Sequence, residues 1–269
     1  YILAGRTQSF GAGNGDAYLI KTDPVGDTLW TKTYGGAMNE SANAISLTND
    51  GGYIMAGITG TFGDTNAFGA NTNDAWVLKI NADGDTLWTR TYGGAKTDEA
   101  YAVQQTNDGG YIVVGTSNSF NPWGGIFFLI DIYLIKTDAN GDTLWTKIYG
   151  VDSANEFSYA VQQTRDGGYI ILGMTGNFGA GAMDYYLIKT DANGDILWTK
   201  TYGGTFQEQS YTVEQTCDGG YILGGWTTSF GAGGGGDIYA VKTDANGDTI
   251  WTKRYGGTGS EHGFTASQS

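Results

Sequence analysis

The sequence predicts an all-β fold, a five-bladed β-propeller with four antiparallel strands per blade. Three observations carry that expectation. A phrase close to GDTLWTKTYGG recurs five times, each copy sits among four short runs of β-branched and aromatic residues, and glycine- and Asx-rich turns separate the runs. The tryptophans of the phrase, Trp30, Trp88, Trp145, Trp198 and Trp251, lie 58, 57, 53 and 53 residues apart. The Tyr-Ile pairs that begin at Tyr1, Tyr53, Tyr111, Tyr169 and Tyr221 lie 52, 58, 58 and 52 apart. Repeats of about 52–58 residues therefore fill the chain, and residues 1–269 are read as a single domain.

Within a repeat the elements follow in order. Tyr159 to Thr164 reads as a first strand, Tyr169 to Gly173 as a second, Asp184 to Thr190 as a third and Thr249 to Tyr255 as a fourth. A DGG turn joins the first two strands, and D-A-N-G-D joins the last two, where Asn-Gly accepts the positive φ of a tight turn. Such a unit is an antiparallel meander. The third strand, as in Asp-Ile-Tyr-Leu-Ile at 131–135, shows little polar alternation and so requires cover on both faces. Radial repetition of four-stranded sheets supplies that cover. Tyr1 corresponds to the start of a second strand and Glu261 to Ser269 to a first strand. Pairing of Phe264–Ser269 with Tyr1–Gly5 is accordingly expected to close the ring and remove free edges, the alternative being five units cut from a larger ring or array.

Composition narrows the class. Glycine fills 46 positions and proline 2, without a collagen period, which points to tight turns. Aromatic residues at 14% exclude a chain that stays disordered for want of burial. A formal charge of −14 repels phosphate backbones and anionic lipid, so nucleic acid is excluded as a partner. A single cysteine, Cys217, excludes an intramolecular disulfide, and a single histidine, His262, excludes a multi-histidine metal centre. The longest apolar run, Ile126 to Ile135, is broken by Asp131 and is about half the length of a membrane-spanning helix, so no membrane insertion is expected. The chain opens on Tyr1 without a signal peptide and is expected to be a processed piece, a monomer or part of a larger multidomain protein.

The succession of YGG, an acidic residue, DGGYI, a G-x-T phrase and D-x-Y-L-I-K resembles the SBBP-type β-propeller repeat of secreted and cell-surface bacterial and archaeal proteins. The phrase KTDANGDTLWTK is also similar to the PQQ-type propeller repeat, in which the tryptophan docks between blades. The resemblance implies an extracellular or cell-surface location and transfers no ligand, cofactor or catalytic residue.

Candidate function lies in the loops. Length varies in the connections between second and third strands: Thr59–Asp74 is longer than Thr7–Asp16, and Ser117–Asp131 carries Trp123 with Ile126, Phe127 and Phe128. Trp123 has no counterpart elsewhere and offers an aromatic contact for a sugar ring or a partner, or packs inward. Two acidic sets recur: Glu40, Asp98, Glu156, Glu208 and Glu261 open first strands, and Asp16, Asp74, Asp131, Asp184 and Asp237 open third strands. One reading makes them repeated ligand sites that accept hydrogen bonds from sugar hydroxyls or hold a hard cation such as calcium. The other has each carboxylate cap its own loop by accepting backbone N–H bonds.

The D-A-N-G-D turns share the one-three-five oxygen spacing of a calcium loop but lack its sixth-position glycine and twelfth-position glutamate, so they read as hairpin turns and no metal is assigned. Trp30, Lys32 and Tyr34 share one strand face and are expected against the next blade. Phe10, Phe62, Phe120, Phe178 and Phe230 read as caps on blade cores. Cys217 stands at a turn position, and His262 beside Glu261 is weak ground for acid–base work. Catalysis needs residues placed once, whereas this chain offers the same residues five times, so no enzyme is expected. The expected function is a secreted or surface-displayed binding module for carbohydrate or another cell-surface ligand, such as a glycan or cell-surface protein. The alternative is a structural or adhesion scaffold, or a protein-docking disc.

Overall fold

The computed structural model describes residues 1–63, 72–120, 129–150, 154–230 and 235–268. Trp123 and its apolar neighbours Ile126, Phe127 and Phe128 lie outside the described residues. Among those described the architecture is all-β, with five antiparallel sheets in simple chain order. The first has three strands, β1 (Ile2–Thr7), β2 (Asp16–Thr22) and β3 (Thr28–Tyr34). The second holds β4 (Glu40–Leu47), β5 (Tyr53–Thr59), β6 (Asp74–Ile80) and β7 (Thr86–Tyr92). The third is β8 (Asp98–Gln105), β9 (Tyr111–Ser117), β10 (Asp131–Thr137) and β11 (Thr143–Tyr149). The fourth is β12 (Glu156–Gln163), β13 (Tyr169–Thr175), β14 (Asp184–Thr190) and β15 (Ile196–Tyr202), and the fifth is β16 (Glu208–Gln215), β17 (Tyr221–Thr227), β18 (Asp237–Thr243) and β19 (Thr249–Tyr255).

The meander and its turns match the sequence reading. The glycine of each DGG and Asx-Gly turn has φ between +78° and +95°, a region that side chains with a Cβ rarely enter. In the DGG turn Asp50 Oδ1 accepts from Thr48 Oγ1 at 2.5 Å and from Gly52 N at 3.0 Å. In the later turn Asp138 Oδ1 accepts from Asn140 N at 2.8 Å and Asp142 N at 2.9 Å. That carboxylate is occupied by its own backbone, which accounts for the aspartate spacing without a metal. First strands start about three residues earlier than the alternation indicates. A bulge between Ser158 and Ala160, repeated at Ala42/Ala44, Ala100/Ala102 and Ser210/Thr212, breaks the period of two there.

The chain divides into two compact units, Tyr1–Phe128 with Tyr133–Thr146, and Leu129–Ile132 with Lys147–Ser269. In the second, third and fourth sheets the second and third strands are buried on both faces, as their unbroken apolar runs require. A core of Leu19, Tyr53, Met55, Trp76, Leu78 and Ile80 joins the first two sheets of the first unit. Its counterpart in the second unit gathers Leu172, Tyr185, Leu187, Tyr221, Leu223 and Val241. The outer-strand Trp, Lys and Tyr grip the next Asx-Gly turn. Trp30 Nε1 donates to Ala82 O at 3.3 Å, Lys32 Nζ meets Asp85 at 2.6 Å, and Tyr34 Oη donates to Gly84 O at 2.6 Å. Trp198, Lys200 and Tyr202 stand in the same relation to the turn at 244–248, with Lys200–Asp248 at 2.7 Å and Tyr202 Oη–Gly247 O at 2.6 Å.

The expected pairing of Phe264–Ser269 with Tyr1–Gly5 is not made. Among the described residues β1 pairs only with β2, and residues 261–268 form no strand. They lie instead on their own unit. Phe264 packs on Tyr211, His262 packs edge-on to Trp226, and Gln268 accepts from Cys217 N at 2.7 Å and donates its own N–H to Glu214. The physical reason is a ready partner: the tail's aromatic and apolar residues match those of first strands and find a neighbouring sheet before any free edge.

Candidate functional site

Each repeat builds the same two-part feature where one sheet hands over to the next. The first part is an acidic pair. The residue before each third-strand Asp offers its carbonyl to the N–H of the next acidic residue: Gly15 O to Glu40 N at 2.7 Å, Asn73 O to Asp98 N at 2.8 Å, Ile130 O to Glu156 N at 2.8 Å, Met183 O to Glu208 N at 2.7 Å and Gly236 O to Glu261 N at 2.6 Å. In two repeats this bond belongs to a parallel bridge, Gly15 with Asn39 and Met183 with Gln207, which sets the two acidic side chains next to one another.

The glycine after each outer-strand tyrosine closes the space. A Cβ on Gly35 would meet Asp16 and Glu40, one on Gly93 Asp98 and Asp74, one on Gly203 Asp184 and Glu208, and one on Gly256 Asp237 and Glu261; at Gly150 it would meet Asp131. Sequence reasoning found these ten carboxylates and placed all ten at strand starts; the structure has nine of them there, and Glu261 opens no strand among the described residues. It did not find that they converge in pairs.

These carboxylates are interior. Asp16, Glu40, Asp74, Asp98, Asp131, Glu156, Asp184, Glu208 and Asp237 are each at most 4% exposed, and only Glu261 is half-buried. They accept backbone N–H bonds as loop caps do: Gly36 N to Glu40 at 2.8 Å, Gly94 N to Asp98 at 2.9 Å, Gly204 N to Glu208 at 2.8 Å and Gly257 N to Glu261 at 3.2 Å. Burial lifts the Asp98 carboxyl above its ordinary range, with hydrogen bonds from Ser117 and Ser119 opposing. At Asp184 burial does the same, and the charge of Glu208 adds to it.

The second part is an aromatic clip, tied to the first through a threonine hydroxyl in three repeats. Thr59, Thr175 and Thr227 donate their hydroxyls to Glu40, Glu156 and Glu208 at 3.0, 3.0 and 2.5 Å. The same hydroxyl oxygens accept from the following loop, as Thr59 does from Thr61 N and Phe62 N, both at 3.1 Å. That loop carries the phenylalanine out. Phe10, Phe62, Phe120, Phe178 and Phe230 are 62, 49, 40, 47 and 46% exposed. Each rests on the aromatic residue of the third strand, with ring centroids 5.9 Å apart for Phe10–Tyr18, 6.1 Å for Phe62–Trp76, 5.2 Å for Phe120–Tyr133, 5.5 Å for Phe178–Tyr186 and 5.4 Å for Phe230–Tyr239. They cap the sheets as the sequence indicates, and half of each ring faces solvent.

Clefts open beside the clips. One of about 260 Å³ is lined by Phe62, Trp76, Thr33, Tyr34, Thr86 and Thr89. Another of about 180 Å³ is lined by Phe10, Tyr18, Lys32 and Thr31. Trp76 keeps its Nε1 on Thr89 Oγ1 at 2.6 Å, so the indole face is fixed. Burial, with the charge of Asp85 adding to it, pushes the Tyr34 phenol up to about 12, so it stays a neutral donor to Gly84.

No protein-family model matches the chain. It is similar to the regulatory protein FlaEY of Caulobacter vibrioides, 27% identical over 250 residues, which cover 86% of this chain and 25% of that protein. The chain thus spans about a quarter of the length of that curated relative. Among solved structures, a eukaryotic initiation factor superposes with a TM-score of 0.37 at 10% identity, over 94% of this chain and 62% of that one. A levansucrase mutant from B. megaterium superposes with a TM-score of 0.36 at 10% identity, over 90% and 76%.

Proposed function

We propose that the chain is a non-catalytic, five-bladed propeller module, secreted or displayed at a cell surface, that binds carbohydrate on a repetitive target through its aromatic clips. The observation that carries this reading is the recurrence of one half-exposed phenylalanine per repeat, seated on a second ring and bordered in two repeats by a cleft with hydroxyl-bearing side chains. The apolar C–H face of a sugar ring stacks on such a surface, and neighbouring threonines satisfy its hydroxyls. Weak sites repeated on one scaffold gain avidity when the target is itself repetitive. The buried acidic pairs serve this reading as supports: they hold the threonines that hold the phenylalanine loops.

A glycan array probed with the chain tests it, alongside a variant carrying Phe10→Ala, Phe62→Ala, Phe178→Ala and Phe230→Ala. Sugar binding by the native chain, lost at least tenfold in the variant, is the expected outcome. A blank array with native protein overturns the carbohydrate reading and leaves the protein-docking scaffold in its place.

A further inference from the structure

We propose that the buried acidic pair Asp184–Glu208 is a binding site for a hard divalent cation of the calcium class, a positive charge that its sister pair receives from Arg254. Three of the four carboxylate oxygens have donors. Asp184 Oδ2 accepts from Gly181 N at 3.2 Å, Glu208 Oε1 from Thr227 Oγ1 at 2.5 Å and Glu208 Oε2 from Gly204 N at 2.8 Å. The fourth, Asp184 Oδ1, has no hydrogen-bond partner, although the residue is 1% exposed. Its neighbour is Glu208 Oε2, since a Cβ on Gly203 would strike both oxygens. Two acceptors thus face one another, an arrangement that buried carboxylates sustain only with a cation or a shared proton between them.

The next repeat supplies an internal comparison. There Arg254 donates to Asp237 Oδ2 at 2.9 Å from an ion-paired position just before the outer-strand tyrosine. The corresponding residue beside Asp184 is Thr201, which brings no charge. Arg254 thus brings a positive charge to Asp237 Oδ2, although Asp237 Oδ1, like Asp184 Oδ1, has no hydrogen-bond partner; no such charge reaches Asp184 among the described residues. Two carboxylates balance one divalent ion, and calcium-class ions take oxygen ligands. Among the described residues no third Asp, Glu, His or Cys joins the pair, so the remaining ligands are main-chain oxygens and water. The carbonyl oxygens of Gly204 and Thr205 crowd Gly181, whose N–H holds the other Asp184 oxygen, and so stand in the same loops.

Calcium chloride titrated into the chelator-stripped full chain at pH 7, followed by calorimetry and by thermal melting, tests the assignment. Calcium uptake with a rise in melting temperature is expected. The variant Asp184→Asn with Glu208→Gln is expected to lose one equivalent, and Arg254→Thr, which removes the built-in charge at Asp237, to gain one. The absence of both heat and a melting shift in the native chain overturns the proposal, as does an unchanged stoichiometry in the double variant. A melting temperature that rises on acidification and ignores calcium also overturns it, and assigns the missing positive charge to a shared proton. Should the double variant fail to fold, Arg254→Thr decides by itself, and no added equivalent there counts against the site.

Discussion

Gly203 is in the sequence an unremarked member of a YGG phrase, and in the structure it is the residue on whose smallness an acidic pair depends. A methyl group there would overlap Asp184 and Glu208, neither of which has anywhere to go. Gly203→Ala is expected to destabilise the chain by about 1–3 kcal/mol, the range for overpacking a closed interior. Gly257→Ala, which meets nothing within 4 Å, is expected to be neutral, and urea melts of the two variants check the contrast. Residue identity made the acidic positions legible, because Asp and Glu recur at fixed places. Their pairing was not legible, since Asp184 and Glu208 lie on different sheets and meet only through one bridge between the residues that precede them. The third-strand lysines went unnoticed for a related reason. Lys79, Lys136 and Lys189 have side chains 3–5% exposed and reach the DGG aspartates at 2.8–2.9 Å, whereas a lysine ending a strand reads as a solvent contact.

Those lysines change what a DGG turn is at the scale of the element. Asp50 takes Thr48, Gly52 and Lys79 together, so the turn, the third strand and the charge are tied at one carboxylate. The Thr48 hydrogen bond first and the Lys79 bond second lower the Asp50 carboxyl from the ordinary 3.8 to about 2. The Thr216 and Lys242 bonds depress Asp218 likewise. A depressed carboxyl contributes stability that is present above its unfolded value and is lost as pH falls through the folded one. Stability attributable to these turns should therefore hold above pH ~4 and drain away between about 4 and 2. Urea midpoints across that window check it, and Lys79→Met should weaken the slope. Asp50 is more than half exposed, so its turn contributes only about 1 kcal/mol or less. Turn type, the four strands of the second to fifth sheets and three of the four strand positions were readable from Gly, Asx and β-branched spacing, whereas the first sheet has three strands in place of the four expected. First-strand starts were not, because the bulge at Ser158 hides the alternation on which such reading rests.

For the molecule as a whole the charge of −14 matters more than any single ion pair. Exposed pairs such as Lys32–Asp85 and Lys200–Asp248 weaken with salt, but so does the repulsion among the excess carboxylates. With 28 acidic against 14 basic residues the second effect dominates, so the melting temperature should rise as sodium chloride goes from about 0.02 to 0.2 M. Calorimetry checks this, and a fall would show that the ion pairs outweigh the repulsion. Repeat number and all-β class were legible because five copies of one phrase leave little else to choose. The expected sealing of residues 264–269 onto 1–5 was not realised, because pattern alone does not say which of several equivalent sheets a first-strand-like segment will meet.

That same equivalence bears on how the chain reaches its fold. The outer-strand grip on the next Asx-Gly turn is made of nearly the same atoms in the first four repeats, so a strand that reaches the wrong turn loses almost nothing in contact energy. Only local connectivity separates correct from shifted partners, and adjacent hairpins form first because their loops are short. Dilution and slow removal of denaturant should therefore favour recovery, whereas crowded refolding should trap chains that have exchanged strands with one another. The few residues that break the repetition, Arg254 against Asp237 foremost, mark one position along the chain as different from the others and so act as a ruler for register.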